Sequence, residues 1–207
     1  MSAVPWGAIA GSGWASGLNL YATVFLLGLA GRLDWASTPT QLQSTPVLAI
    51  AGLLYAVEFF IDKIPFVDSA SDAVHTVIRP LGAAWLAAVM AGDTSWIHRP
   101  IAALGAGALA LTSHGAKATT RAAVNMSPEP FSNIALSFTE DGIVGAMVAL
   151  ALTHPGIAAV VAVVLAAACV FVIWKLARFI RRIFQRTLGR TPATTPVVGT
   201  IGGLPGR

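Results

Sequence analysis

A long apolar stretch near the end of this chain sets the strongest limit on its fold. Residues 159–174 contain no charged side chain, and the apolar segment around them extends from Pro155 to Leu176. As a helix rising 1.5 Å per residue, such a segment is long enough to cross a hydrocarbon core about 30 Å thick. The sequence therefore predicts at least one membrane-spanning helix.

Five further apolar segments precede this one, so the whole chain has the pattern of a polytopic membrane protein. The chain has 207 residues, of which 56% are hydrophobic and only 11% are charged. A typical soluble domain has about 25% charged residues, so a soluble fold could not cover this much apolar surface. We therefore predict an all-α membrane protein with six spans. The five earlier segments are Trp6–Ala30, Pro46–Ile61, Pro80–Ala91, Pro100–Ala123 and Phe131–Leu152.

Two polar stripes interrupt this apolar background. The first contains Asp68, Asp72, His75 and Arg79, and the second contains His114, Lys117, Arg121 and Asn125. These spacings place each set on a single face of an α-helix. Since Pro65 and Pro80 flank the first stripe, we predict a short amphipathic helix between spans two and three that ends at Pro80. Its apolar side should include Val67, Val74 and Ile78.

Other polar residues lie within the predicted spans. Asn19 is near the middle of the first span, Glu58 and Asp62 end the second, and Glu140 and Asp141 belong to the fifth. An isolated charge at membrane depth costs on the order of 3 kcal/mol or more, whereas an opposite charge beside it removes much of that cost. We therefore predict that Glu58, Asp72 and Glu140 converge with Arg79, Lys117 and Arg121 in one cluster. The candidate site residues are Asn19, Glu58, Asp72, His75, Arg79, His114, Lys117, Arg121, Asn125, Glu140 and Asp141.

The simpler interpretation is that these charges lie in the headgroup layer, where they snorkel or form structural ion pairs. It is preferred for Asp62 and Lys63, which lie near a turn. The glycines of the first span also have two interpretations. Gly7, Gly11, Gly13 and Gly17 suit close helix packing, which is favoured. The alternative is an unwound stretch whose backbone faces a ligand.

The distribution of basic residues predicts the topology. A cluster of Lys and Arg follows the last span, as expected for a cytoplasmic segment, and it could attract anionic lipid headgroups. Six spans then place both termini in the cytoplasm, with Pro39 and Arg99 on the outer side of the membrane. We predict a membrane domain over residues 1–186 and a disordered tail over 187–207. The arrangement is also compatible with a three-plus-three inverted repeat.

Several classes of protein are disfavoured. Cys169 is the only cysteine, which excludes an intramolecular disulfide and a cysteine-based zinc site. There is no paired metal-ligand signature and no basic groove with interleaved aromatic residues. We therefore predict no metal, no cofactor and no nucleic-acid partner, and the sequence favours a non-enzymatic role. The glycine-rich faces would suit a homo-oligomer as well as packing within one chain.

Four segments resemble the bacterial membrane proteins grouped as DUF4126. The resemblance implies a membrane protein with several helices and a shared polar centre, and it implies no activity, substrate or catalytic residue. The segments are GLNLYAT (17–23), EFFIDKIPFVDSASDAVHTVIRPLGA (58–83), HGAKATTRAAVNMSPEPFSN (114–133) and TED (139–141).

The leading functional hypothesis is a small secondary transporter or channel-like protein for a small charged solute. Glu58 and Glu140 would then be coupling or gating carboxylates, and His75 a proton-sensitive group. A second hypothesis is a membrane enzyme or carrier that acts on a phosphate-bearing lipid, held by Lys117 and Arg121. A third is a non-catalytic scaffold in which the polar stripes only fasten helices together.

Overall fold

The computed structural model describes residues 4–93, 96–126 and 130–188, and in these ranges the chain is all-helical. The predicted all-α class is confirmed. The tail from residue 189 to 207 lies outside the described residues, and the predicted boundary at residue 186 stays a prediction. The helices are α1 (Trp6–Leu18), α2 (Leu20–Arg32), α3 (Thr45–Ile61), α4 (Val67–Ala91), α5 (His98–Val124), α6 (Pro130–Thr153) and α7 (Pro155–Leu188).

Three of these helices are long and apolar enough to cross a membrane, namely in the ranges Val67–Ala91, Phe131–Thr153 and Pro155–Phe179. Helices α2 and α3 are apolar but shorter. Large apolar side chains such as Leu104 and Leu81 are 76% and 66% exposed, as expected for surfaces that face lipid. These features are compatible with a membrane protein. The predicted count of six spans is not confirmed, and the inverted repeat stays a prediction.

The first predicted span, Trp6–Ala30, is wrong as a single helix. Helix α1 ends at Leu18, Asn19 has an extended backbone (φ −152°, ψ 101°), and α2 begins at Leu20. The Asn19 side-chain oxygen accepts a hydrogen bond from the backbone N–H of Ala22 at 2.9 Å. Asparagine is a favoured N-cap because it satisfies one of the free N–H groups of a helix start. Asn19 therefore ends one helix and begins another.

Helix α2 folds back beside α1, so that the two form a helical hairpin with Asn19 at its tip. The α1 side chain Ile9 packs in a cluster with Ala91 at the end of α4. The carbonyl of Gly17 accepts a hydrogen bond from Arg79 in the middle of α4. Successive residues of α1 therefore meet earlier residues of α4, which means that α1 and α4 are antiparallel.

The contacts of α2 show that this helix runs in the opposite direction to α1. The Leu20 side chain lies against Gly82, and Leu27 lines the same cavity as Met90. Helix α2 therefore runs parallel to α4 and returns toward the end of the bundle where α1 began. At that end the rings of Trp6 and His98 are 5.9 Å apart.

Helix α4 is continuous from Val67 to Ala91 and contains Pro80 within it. The predicted helix end at Pro80 is therefore wrong, because the segment before Pro80 and the third span after it form one helix. Proline removes one backbone donor but is tolerated inside membrane helices when neighbouring helices pack around the break. The predicted orientation of the helix is confirmed, because Val67 and Val74 are exposed whereas Asp68 and Asp72 are buried.

The glycines of α1 allow very close contacts with neighbouring helices. A β-carbon on Gly13 would lie 2.8 Å from the β-carbon of Ala106, and one on Gly17 would lie 2.1 Å from the Ala110 carbonyl oxygen. A methyl group has no room at either position. Close packing is therefore the correct interpretation of these glycines, and the helix is broken only at Asn19.

We expect Gly17→Ala to destabilise the protein by about 1–3 kcal/mol, because the added methyl group overpacks the α1–α5 contact. Gly105→Ala is a matched control, since Gly105 is also helical and a β-carbon there meets nothing within 4 Å. The control should be neutral or stabilising by up to about 1 kcal/mol, given the higher helix propensity of alanine. Thermal unfolding in lipid nanodiscs measures both, and equal effects would contradict the packing argument.

Candidate functional site

A cluster of buried charges lies where α3, α4, α5 and α6 meet, and we call it the polar centre. Each of its members is at most 8% exposed. The predicted convergence of acidic and basic side chains is confirmed by nine ion pairs within 4.0 Å among the described residues. The polar centre consists of Glu58, Asp62, Asp68, Asp72, Arg79, Lys117, Arg121 and Glu140.

Arg121 of α5 has the largest number of partners in the polar centre. Its Nη2 lies 2.5 Å from Glu140 Oε2 and 3.2 Å from Asp62 Oδ2. Its Nη1 donates to the backbone carbonyl of Asp62 at 2.7 Å and lies 3.2 Å from Asp68 Oδ2. The planar guanidinium group offers five donors, so one side chain connects α5 to α6, to the start of α4 and to the end of α3.

Lys117 lies one turn away from Arg121 on the same helix and also bridges several elements. Its Nζ is 2.6 Å from Asp62 Oδ2 and 3.3 Å from Glu140 Oε2. The same ammonium group donates to the backbone carbonyl of Leu18 at 3.2 Å. Lys117 therefore joins the polar centre to the tip of the α1–α2 hairpin.

Arg79 makes the equivalent connection from α4. It forms an ion pair with Glu58 and donates to the Gly17 carbonyl at 3.1 Å. The last carbonyl groups of a helix have no intrahelical donor and carry the negative end of the helix dipole. Two cations, Arg79 and Lys117, therefore hold the C-terminal carbonyl groups of α1 within the polar centre.

The hydrogen bonds of His114 determine its tautomer. Arg79 donates to His114 Nδ1 at 2.8 Å, and since arginine can only donate, Nδ1 must be the unprotonated nitrogen. The hydroxyl of Thr76 gives its proton to the Asp72 carbonyl at 3.0 Å, so it accepts from His114 Nε2, also at 3.0 Å. His114 is therefore a neutral imidazole protonated on Nε2, and it adds no charge to the polar centre.

Two further side-chain contacts involve the hairpin tip. The Asn19 amide donates to Asp141 Oδ1 of α6 at 3.2 Å, in addition to capping α2. The ring of Tyr21 contacts the half-buried His75 edge to face, with centroids 5.7 Å apart. Candidate residues Asn19, His75 and Asp141 therefore lie at the tip, and each is within reach of the polar centre.

Asn125 closes the polar centre at the end of α5. It donates to Asp68 Oδ1 at 3.0 Å and to the Ser69 hydroxyl at 2.8 Å. Its own oxygen accepts from Asn133 of α6 at 2.8 Å. All eleven candidate residues of the sequence analysis thus belong to one connected region, and their role in binding stays a prediction.

The candidate set omitted two carboxylates of the polar centre. Asp68 belonged to the first stripe, so its spacing was a usable signal. Asp62 was interpreted as a surface partner of Lys63, and this interpretation is wrong because Asp62 is 3% exposed and binds Lys117. Lys63 instead lies over the ring of Phe59, 3.1 Å from its centroid. Burial tends to raise the pKa of Asp62 in the turn after α3, but Lys117 and Arg121 outweigh it and hold that pKa below its ordinary value.

A separate cavity of about 740 Å³ opens at the other end of the hairpin. Its walls come from the start of α1, the loop after α2, the end of α4 and the α6–α7 turn, and they include Trp6, Leu27 and Trp35. The polar centre and the open cavity therefore lie at different levels of the bundle.

In the described part of the chain no three His, Cys, Asp or Glu side chains are arranged to hold a metal ion.

Comparison with known proteins gives one result. The family described as "Domain of unknown function (DUF4126)" matches residues 7–175, which is most of the chain. The chain belongs to this family. No curated protein and no solved structure matches it. Membership in DUF4126 confirms the resemblance carried by the four sequence segments, and it assigns no activity to the hairpin or to the polar centre.

Proposed function

We propose that this DUF4126 protein is a small secondary transporter for a small charged solute, with the hairpin tip and the polar centre as its solute and ion site. The observation that carries the proposal is the helix break at Asn19. The last carbonyl groups of α1 before this break accept hydrogen bonds from Arg79 and Lys117. Transporters commonly place broken helices at their binding sites because free helix ends supply charge and hydrogen bonds without crossing the lipid.

The closed polar centre corresponds to an occluded state in this proposal. Leu27, 1% exposed, and Leu42, which is fully buried, line the apolar cavity at the far end of the hairpin. Movement of the hairpin would connect this cavity with the charged tip. Glu58 and Glu140 would then act as coupling carboxylates, Lys117 and Arg121 would bind an anionic group, and His75 would respond to protons.

A scaffold role is the second candidate, and the density of ion pairs around Arg121 favours it. A rigid, paired network can fasten helices without binding anything. No contact favours the lipid-phosphate hypothesis, since Lys117 and Arg121 both bind carboxylates and are at most 3% exposed. The choice between transporter and scaffold therefore depends on whether the hairpin moves.

The deciding experiment is solute uptake by purified protein reconstituted in liposomes, screened over small anions, cations and zwitterions with and without a pH gradient. We expect protein-dependent uptake that is lost in Asn19→Ala, which cuts the contact with Asp141 and the cap of α2. Arg99→Gln, an exposed change at the start of α5, should leave uptake unchanged. Uptake equal to that of empty liposomes for every solute would favour the scaffold.

The hairpin also predicts a topology that differs from the one expected from charge alone. Since Trp6 and Trp35 line the same cavity, the start of α1 should face the same side as the loop after α2. In a Cys169→Ser background, we expect Trp6→Cys and Trp35→Cys to react with an impermeant maleimide from outside the cell. Met126→Cys should react only from the cytoplasm. Labelling of Trp6→Cys from the cytoplasm would instead support two cytoplasmic termini.

A further inference from the structure

We infer that Asp72 carries a proton in this closed form, which makes it a proton-binding site in the middle of the bundle. The role of this proton as a coupling ion rests on the proposed transport function. The presence of the proton does not, because it follows from the charges and hydrogen bonds of the polar centre alone.

The charges of the polar centre do not balance. Five carboxylates are at most 8% exposed, and three cations lie among them. His114 is neutral, as its hydrogen bond from Arg79 shows. Two negative charges are therefore in excess in a region from which water is largely excluded. Such an excess is strongly disfavoured, and a buried carboxyl group responds by binding a proton.

Asp72 is the carboxylate with the weakest interactions. Neither of its oxygens has a hydrogen-bond partner, although the residue is only 2% exposed. Its nearest cations are Arg79 Nη1 at 3.4 Å and Arg121 Nε at 4.0 Å. Both distances exceed those of a charge-assisted hydrogen bond. An ionised Asp72 would therefore lack the contacts that make a buried charge tolerable.

The other four carboxylates of the polar centre are better satisfied. Both oxygens of Glu140 accept hydrogen bonds from Arg121. Both oxygens of Asp68 also accept hydrogen bonds. Glu58 and Asp62 each have one oxygen bound to a cation and one without a partner. A proton is therefore most stable on Asp72, which accepts no hydrogen bond and whose nearest cation is farther away than that of any other carboxylate of the polar centre.

Charged and titratable groups of five helices lie in the polar centre and at the hairpin tip beside it. Arg79 of α4 and Arg121 of α5 are the nearest cations of Asp72, and carboxylates of α3, α4 and α6 compete with it for these two guanidinium groups. The groups are Asp68, His75 and Arg79 of α4, His114, Lys117 and Arg121 of α5, Tyr21 of α2, Glu58 and Asp62 at the end of α3, and Glu140 and Asp141 of α6.

Proton binding and release need no other reactant. An Asp72 carboxylate oxygen takes a proton from water at one side of the membrane and becomes a neutral acid, and the closed form seals over it. Opening toward the other side hydrates the group, restores the carboxylate and returns the proton to water. Solute movement would be coupled to this cycle if the solute binds only one of the two charge states.

The test is an infrared spectrum of the full-length protein in lipid nanodiscs, without solute, in the region of protonated carboxylic acids. We expect a protonated-acid band at neutral pH that shifts when aspartate is labelled with ¹³C at its side-chain carboxyl carbon. The band should vanish in Asp72→Asn. Asp141→Asn is the matched control, since Asp141 Oδ2 is also buried without a partner, and this variant should keep the band.

Each outcome decides the inference. Absence of a protonated aspartate band at neutral pH overturns it, and so does a band that disappears in Asp141→Asn but persists in Asp72→Asn. If Asp72→Asn does not fold, Asp72→Glu in the labelled protein should move the band to the unlabelled position, because glutamate carries no label. The measurement is independent of uptake, so a protein that binds the proton but moves no solute would contradict only the proposed function.

Discussion

Replacement of Arg121 by methionine is expected to reduce the free energy of unfolding by about 3–5 kcal/mol, the range for breaking a buried ion pair from one side. The change removes the guanidinium that contacts Glu140 at 2.5 Å, Asp68 at 3.2 Å and Asp62 at 3.2 Å. Asp68 would then lose its cation, and Asp62 and Glu140 would keep only Lys117. Methionine keeps much of the apolar length of the side chain, so the loss reports charge rather than volume.

Arg99→Met is the matched control, because Arg99 lies on the same helix and is exposed. It should change stability by no more than about 0.5 kcal/mol. The double variant Arg121→Met with Glu140→Gln should recover part of the loss, since it removes a charge together with its partner. Denaturation in mixed detergent micelles measures all four proteins. Equal losses in Arg121→Met and Arg99→Met would mean that the polar centre does not stabilise the fold.

The helical faces of the polar centre could be predicted because they depend on local spacing. Residues 68, 72 and 79 fall on one side of any α-helix, and so do 114, 117 and 121. The cost of a lone charge in lipid then requires the two faces to meet. Both facts hold whatever the connections between the helices. The prediction of the cluster is therefore correct, although the first span is not one helix and α4 does not end at Pro80.

The hairpin could not be predicted with the same confidence, because an apolar segment has the same composition whether it crosses the membrane or turns back. Asn19 suits an N-cap, but a single asparagine is also tolerated within a helix. Its role depends on tertiary contacts, namely Asp141 for its amide and two cations for the carbonyl groups before it. The sequence places these partners far from Asn19.

At Pro80 the sequence predicts a helix end that does not occur, whereas at Asn19 it misses one that does. Proline is a strong signal for a helix boundary in a soluble protein, and the amphipathic stripe before it strengthened that interpretation. In α4 the residue before it, Arg79, is anchored by Glu58 and His114, and the helix continues to Ala91. Contacts from neighbouring helices outweigh the local cost of the missing hydrogen bond, and such contacts are invisible in the sequence.

The arrangement of α1 explains why glycine and charge occur together in this chain. Gly13 and Gly17 bring the α1 backbone against Ala106 and Ala110 of α5. At this short separation the last carbonyl groups of α1 come within reach of Lys117, about two turns beyond Ala110 on α5. The glycines of α1 therefore allow close packing and also place the end of α1 beside the charged side chains of α5.

The second large effect is expected at Lys117, which connects the hairpin tip to the polar centre. Lys117→Met removes the cation 2.6 Å from Asp62 and the donor to the Leu18 carbonyl. We expect a loss of about 3 kcal/mol in stability, as for a buried pair broken from one side. Uptake, where a solute is found, should fall by at least about tenfold, because the tip loses one of its two anchors.

The geometry determines which partner should rescue this variant. Glu140 lies 3.3 Å from Lys117 but only 2.5 Å from Arg121, which keeps it neutralised when Lys117 is replaced. Asp62 is the closer partner. A double-mutant cycle of Lys117→Met with Asp62→Asn should therefore give a coupling energy of about 1–3 kcal/mol, larger than the cycle of Lys117→Met with Glu140→Gln. Unfolding free energies of the two cycles, measured under one condition, test this order. A larger coupling with Glu140 would show that Arg121 does not neutralise that carboxylate, and would return Glu140 to Lys117 as its main partner.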